Sequence, residues 1–213
     1  MRLRALTLGE LETLHRTRMG QDFPPEELKP FAAMQTLYEA GAYHPMGAWE
    51  GEDMVGYALL WESPGTGYLL LDYLGVEASR RNAGLGGEIL RLLQGAFRDR
   101  KGILVESEAP EGDGRDALRQ RRMGFYRRNG FAFLSYTCVL FGVHYAVALC
   151  PPAEAGGEEA VMEAHREVYR AQLAPWAYEK FVEIPRDPQR AAAPAESWAG
   201  QTNLPGLGER EKG

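Results

Sequence analysis

Arg80 and Arg81 lead into Asn82-Ala83-Gly84-Leu85-Gly86-Gly87, shortly beyond the apolar run Tyr68-Leu69-Leu70-Leu71-Asp72-Tyr73-Leu74-Gly75-Val76. Glycines let a backbone come close to a ligand, and a helix opening near residue 84 starts with amides that have no intrahelical acceptor. Those amides and the positive end of the helix dipole attract phosphate, and two fixed guanidinium groups add charge beside them. The chemistry implied is a cradle for a pyrophosphate. A Walker loop is excluded, because no Lys-Ser or Lys-Thr follows Gly86. A dinucleotide fingerprint is excluded as well, since the glycines stand eight residues beyond Val76 with Arg81 at the head of the hexad. Three carboxylates could handle protons nearby. Asp72 is a lone acid in an apolar strand, so it needs either a partner or a raised pKa. Glu106 and Glu108 alternate along Ile103-Leu104-Val105-Glu106-Ser107-Glu108 and therefore share one face of a strand.

Arg81-x-x-Gly84-x-Gly86 after an apolar strand resembles the acyl-CoA signature of the GNAT superfamily of N-acyltransferases. Phe125-Tyr126-Arg127-Arg128-Asn129-Gly130-Phe131 resembles that family's downstream motif, a helix ending in Tyr-x-x-x-Gly-Phe. Gly130 suits the left-handed residue past a helix end, with Phe131 opening the next strand. The resemblance covers roughly residues 1 to 150. It implies acetyl-CoA as co-substrate, held by Arg81, Asn82, Ala83, Gly84, Leu85, Gly86 and Gly87, with the pantetheine arm pairing to the backbone near Leu74 and Val76. It further implies that Tyr126 protonates the departing thiolate, and that the reaction is transfer of an acetyl group to a primary amine of a small molecule or peptide in a ternary complex. Asp72 is the first candidate for the base, weighed evenly against a structural anchor, and Glu106 is the second. Glu108, Tyr73 and His44 are candidate substrate contacts, and the acids together would attract a cationic acceptor. One departure stands out: many members carry Asn seven residues before the tyrosine and a small residue four before it, where this chain has Arg119 and Arg122. A non-catalytic acyl-CoA-binding or regulatory module of the same fold is the competing reading.

The elements that must position these groups follow from periodicity and turn residues. A short strand over 2–6, helices over 9–19 and 26–40, and a hairpin of strands 43–49 and 54–62 lead to strand 68–76. Helix 84–98, strand 102–108, helix 115–128, strand 131–141 and a strand over 142–149 follow. The fold class expected is α/β (mixed α+β): a central mixed, mostly antiparallel sheet with a splayed parallel strand pair, flanked by helices. Residues 1–150 form that domain, 151–184 a linker and C-terminal helical appendage, and 185–213, rich in Pro, Gly, Ala and charge, a tail expected to be disordered.

Composition narrows the function classes. With 24 basic and 30 acidic residues the formal charge is −6, which argues against general nucleic-acid binding or an anionic membrane surface. The arginine cluster Arg115 to Arg128 is a local exception. Cys138 and Cys150 and the four histidines (His15, His44, His144, His165) show no metal-ligand spacing, so no metal is expected. No run reaches the length of a membrane span and the N-terminus lacks a signal-peptide core, so a cytoplasmic location is expected. The resemblance allows a homodimer, and no feature of the sequence fixes the oligomeric state.

Overall fold

A computed structural model describes residues 1–153 and 157–189. One sheet of eight strands runs in the order β1-β2-β3-β4-β5-β7-β6-β8. Its strands are β1 (Arg2–Ala5), β2 (Tyr43–Glu50), β3 (Asp53–Glu62), β4 (Tyr68–Val76), β5 (Gly102–Glu108), β6 (Ala132–Leu140), β7 (Val143–Cys150) and β8 (Val182–Glu183). Every neighbouring pair is antiparallel except β4 and β5, whose register holds only at Tyr68↔Gly102, Leu69↔Ile103 and Leu70↔Leu104. Beyond Leu70 and Leu104 the two strands separate. The expected mixed sheet with a splayed parallel pair is therefore present.

Period-2 alternation splits the strand residues between two cores. Leu70, Leu104 and Val147 point to one face, where α1 (Leu8–Leu14), α3 (Phe31–Glu39), α6 (Glu158–Arg170) and α7 (Pro175–Phe181) supply Leu11, Met34, Val168 and Phe181. Leu69, Val105 and Ala148 point to the other, against Ile89, Leu90 and Leu93 of α4 (Leu85–Ala96) and Phe125 of α5 (Asp116–Arg128). The C-terminal segment is thus packed into the first core, and β8 extends the sheet by pairing with β6. Arg186 N–H continues that edge with a bond to the Thr137 carbonyl. Residues 190–213, most of the expected tail, and 154–156 of the expected linker lie outside the described residues.

Two helix expectations are corrected. The helix expected over 26–40 is a single tight turn, Pro25–Glu27, followed by an extended Leu28 and then α3 from Phe31. Pro30 explains the break, for it lacks a donor and disfavours helical backbone at Lys29. The apolar residues of 158–182 form two helices rather than one, because Pro175 starts α7 after a turn at Gln172-Leu173. The first helix also departs from regularity: α1, capped by a reciprocal Thr7–Glu10 box, continues as a π-helical turn over His15–Met19 into α2 (Gly20–Asp22).

Candidate active site

Gly84 has φ +84° and caps α4 in the left-handed region, and Asn82 shares that region at φ 66°. The first intrahelical bond reaches Gly84 from the Glu88 amide, so the amides of Leu85, Gly86 and Gly87 precede it. A Cβ on Gly84 would meet nothing within 4 Å. One on Gly86 would stand 3.3 Å from the Phe125 ring, and one on Gly87 2.7 Å from Asn129 Oδ1. The three glycines therefore differ in purpose. Gly84 leaves the helix start open, whereas Gly86 and Gly87 let α4 and α5 approach closely. Between these helices lies a groove of about 640 Å³ whose walls include Gly84, Gly87, Arg91, Arg128, Asn129 and Gly130.

The charge expected from Arg80 and Arg81 is not free. Arg80 pairs with Glu50, and Arg81 reaches Asp22 Oδ1 at 2.6 Å while its Nε donates to the Val76 carbonyl at 3.2 Å. Arg91 and Arg128 line the groove, where Glu88 lies 3.9 Å from Arg91. Arg121 ties the cradle turn to α5 by donating to Asn82 Oδ1 at 2.8 Å.

Leu74 and Val76 pair with Ala58 and Gly56 of β3 on one side, on the stretch of β4 that β5 has left on the other. Asp72 sits at a bulge, since Tyr73 faces Leu59 and Leu71 faces Leu60 with Asp72 as the extra residue. Both of its oxygens are engaged: Oδ1 accepts from Lys29 Nζ at 2.5 Å and Oδ2 from the Tyr43 hydroxyl at 2.6 Å. The side chains of Lys29 and Asp72 are only 3% and 9% exposed, and the ammonium also lies 4.8 Å from the Trp61 ring. Of the two readings of Asp72, this geometry favours the anchor. Tyr73 anchors the same corner, donating to the Glu27 carbonyl at 2.7 Å and accepting from the Lys29 amide at 2.9 Å. Burial first, and then the Asp72 charge, push the phenols of Tyr43 and Tyr73 well above their ordinary range.

Glu106 lies two residues past the last β4–β5 pair. Its Oε1 accepts from His165 Nε2 at 2.6 Å, and the Tyr169 hydroxyl sits 2.8 and 2.9 Å from its two oxygens. The side chain keeps 15% exposure while His165 has none. His165 Nδ1 meets the Tyr136 hydroxyl at 3.2 Å. Cys138 is close enough that Glu106, Cys138 and His165 have potential ligand atoms within 4.8 Å of one another, although Glu106 and His165 already satisfy each other. Glu108 is less available. Arg119 Nε donates to it at 3.1 Å and Arg122 lies 3.5 Å away, so both departures from the family motif serve this acid. His44 is not brought to the carboxylates. It follows Tyr43 in β2 and takes the other face, where it bonds Glu62 at 2.8 Å and packs 5.6 Å from the Phe97 ring.

Tyr126 stands in the last turn of α5, half-buried, with its ring edge-on to Phe125 at 5.2 Å and Phe131 at 5.5 Å. Burial raises its phenol pKa, against a smaller opposing effect of Arg122, so the hydroxyl keeps its proton near neutrality. Lys29, Tyr43, Tyr136, His165 and Tyr169 went unnoticed in the sequence. For the last two a signal exists: a His and a Tyr one turn apart on the apolar stripe of an amphipathic helix are polar groups that need a buried partner.

A family model described as Acetyltransferase (GNAT) family matches residues 10–131. A Bacillus subtilis (strain 168) protein named "Putative acetyltransferase YjbC" is 29% identical over 116 residues, 54% of each chain, so this chain spans about half the length of that relative. A GNAT-family structure from Bacteroides thetaiotaomicron superposes with a TM-score of 0.62 at 18% identity, covering 78% of this chain and 95% of its own. An aminoglycoside 6'-N-acetyltransferase complexed with coenzyme A gives 0.51 at 15% identity, covering 70% and 96%. At such identities the two structures establish the shared fold. With more than half of its length matched by the family model, and with this sheet, splay and helix start, the chain belongs to the GNAT acetyltransferase family.

Proposed function

We propose that the protein transfers an acetyl group from acetyl-CoA to a primary amine of a small molecule or peptide by direct attack in a ternary complex. The observation that carries this reading is the gap opening past Leu70 and Leu104, with an open helix start at Gly84 and an accessible carboxylate, Glu106, beside it. The residues suit the co-substrate. The amides of Leu85, Gly86 and Gly87 would hold its pyrophosphate with Arg81, Asn82 and Ala83 shaping the turn, and the β4 backbone near Leu74 and Val76 would pair with the pantetheine arm.

Acetyl-CoA supplies an activated thioester. An alkyl ammonium must lose two protons on becoming an amide. Glu106 receives the first, which frees the nitrogen lone pair to form the C–N bond. As the C–S bond breaks, Tyr126 gives its phenolic proton to sulfur and regains one from the amide nitrogen through solvent, while the proton on Glu106 leaves to water. Such proton transfers are each worth about 100- to 10,000-fold in rate. Asp72, held by Lys29 and Tyr43, sits at the β3–β4 bulge, two residues past the last β4–β5 pair. Among the described residues no helix is long and apolar enough to cross a membrane.

Calorimetric titration with acetyl-CoA, using dephospho-CoA and NAD as controls, tests the cradle; thiol release in the presence of spermidine, kanamycin and an alanyl peptide tests the transfer. Selective binding without any turnover would move the non-catalytic reading to the front.

A further inference from the structure

The matched family segment ends at residue 131, yet Glu106 takes its closest hydrogen bonds from residues beyond it. His165 and Tyr169 lie one turn apart on the buried side of α6, and Ser63 Oγ pins that helix to the sheet by donating to the Ala164 carbonyl at 2.7 Å. The Trp61 and Tyr169 rings meet edge-on at 5.7 Å, which fixes the Tyr169 hydroxyl under Glu106. The tautomer of His165 follows from its partners. A carboxylate only accepts, so Nε2 carries the proton toward Glu106, and Nδ1 then accepts from the Tyr136 hydroxyl.

We propose, resting on the acyl-transfer reading above, that His165 is a positioning residue for Glu106: a C-terminal helix outside the common family segment donates Nε2–H and Tyr169 O–H to the carboxylate, holding it aimed beside the β4–β5 gap. The chain Tyr136–His165–Glu106 ends on the only one of its members with any substantial exposure, so a proton taken up there returns to solvent at that edge. On its own strand face Glu106 has Glu108 as a neighbour, which Arg119 and Arg122 hold. Tyr136 and Cys138 face it from β6, Tyr145 from β7 and Tyr169 from α6; burial first, with the Glu106 charge among the further causes, raises all four. Asp72, a further acid acting on Tyr169, is occupied by Lys29.

The test compares Glu106→Gln, His165→Leu, His165→Gln and Tyr136→Phe in the full chain, reading acetyl-CoA affinity by calorimetry and thiol release against pH with spermidine, kanamycin and an alanyl peptide. Gln at 165 can keep a donor near the Nε2 position, whereas Leu cannot. The inference expects Glu106→Gln to lose about 100-fold or more in kcat. His165→Leu should lose about 10-fold or more with the acid limb of its profile moved to higher pH, because a lost donor raises a carboxylate pKa. His165→Gln should recover most of the rate, and acetyl-CoA affinity should be unchanged throughout. Should His165→Leu not fold, His165→Gln near wild type together with a slower, alkaline-shifted Tyr136→Phe supports the same conclusion. If Glu106→Gln is impaired but the 165 and 136 variants keep wild-type rates and an unmoved acid limb, the positioning role is overturned while the base survives. If Glu106→Gln turns over as fast as an active wild type, the base role and the inference fall while acyl transfer stands; if wild type is inert toward all three amines, the acyl-transfer reading falls and the inference with it.

Discussion

Removing the Lys29 ammonium should be among the most damaging single changes in this molecule. Lys29 is 3% exposed and Asp72 9%, and Lys29→Met would leave a buried carboxylate with the Tyr43 hydroxyl as its remaining donor partner. Breaking a buried pair from one side typically costs about 3–5 kcal/mol. The contact with the Trp61 ring, 4.8 Å from the ammonium, is lost in the same event, and the methionine stem restores part of the packing. We expect a net loss of about 3–4 kcal/mol. With a urea slope of about 2–3 kcal/mol/M this moves the unfolding midpoint down by about 1–2 M. Replacing both partners, Lys29→Met with Asp72→Leu, should recover most of the loss, since paired removal of buried charges is often near neutral. Urea unfolding followed by circular dichroism across this double-mutant cycle checks both numbers. A Lys29→Met variant within 1 kcal/mol of wild type would refute the anchor argument and return Asp72 to candidacy as a base.

Three further outcomes follow from the geometry. Tyr126→Phe should lower kcat by about 100- to 10,000-fold with acetyl-CoA affinity nearly unchanged, measured by thiol release and calorimetry; equal rates would remove Tyr126 from the chemistry. Gly84→Asp should abolish acetyl-CoA binding, because it places a carboxylate and a Cβ at φ +84° on the open side of the helix start; retained affinity would sink the cradle. Glu10 is held down to about 2 by its bonds to Arg4 and to the Thr7 amide. Because its folded-state pKa lies below the ordinary value of about 4.3, its contribution is present above that pH and fades as pH falls toward 2. The half-exposed setting limits the effect to at most about 1 kcal/mol. Glu10→Gln should therefore narrow the stability difference between pH 6 and pH 3 in urea titrations; an unchanged difference would show that the capping box carries no pH-dependent stability.

The strand order around the site was legible because its signals are local. Apolar runs bounded by glycine and proline marked β4 and β5, and the downstream Tyr-to-Phe motif marked the end of α5. The fates of the individual acids were not legible, because they depend on partners far away in sequence. Asp72 meets a lysine 43 residues upstream, and Glu106 meets a histidine 59 residues downstream. The same distance effect hid the partner of Arg119 and Arg122, which stand in the sequence as departures from the family motif and in the structure lie against Glu108. His44 lies apart from Asp72 for a simpler reason. It adjoins Tyr43, which does reach Asp72, but neighbours in a strand point to opposite faces.

The 59-residue separation between Glu106 and His165 also has a meaning in time. At a synthesis rate of about 5–20 residues per second, the ribosome makes residue 165 about 3–12 s after residue 106. During that interval β5 carries a carboxylate among leucines and valines with neither α6 donor yet made. The acid then favours water over burial, so its place against the core waits for α6. A nascent chain stalled before α6 would accordingly carry Glu106 without its His165 and Tyr169 partners.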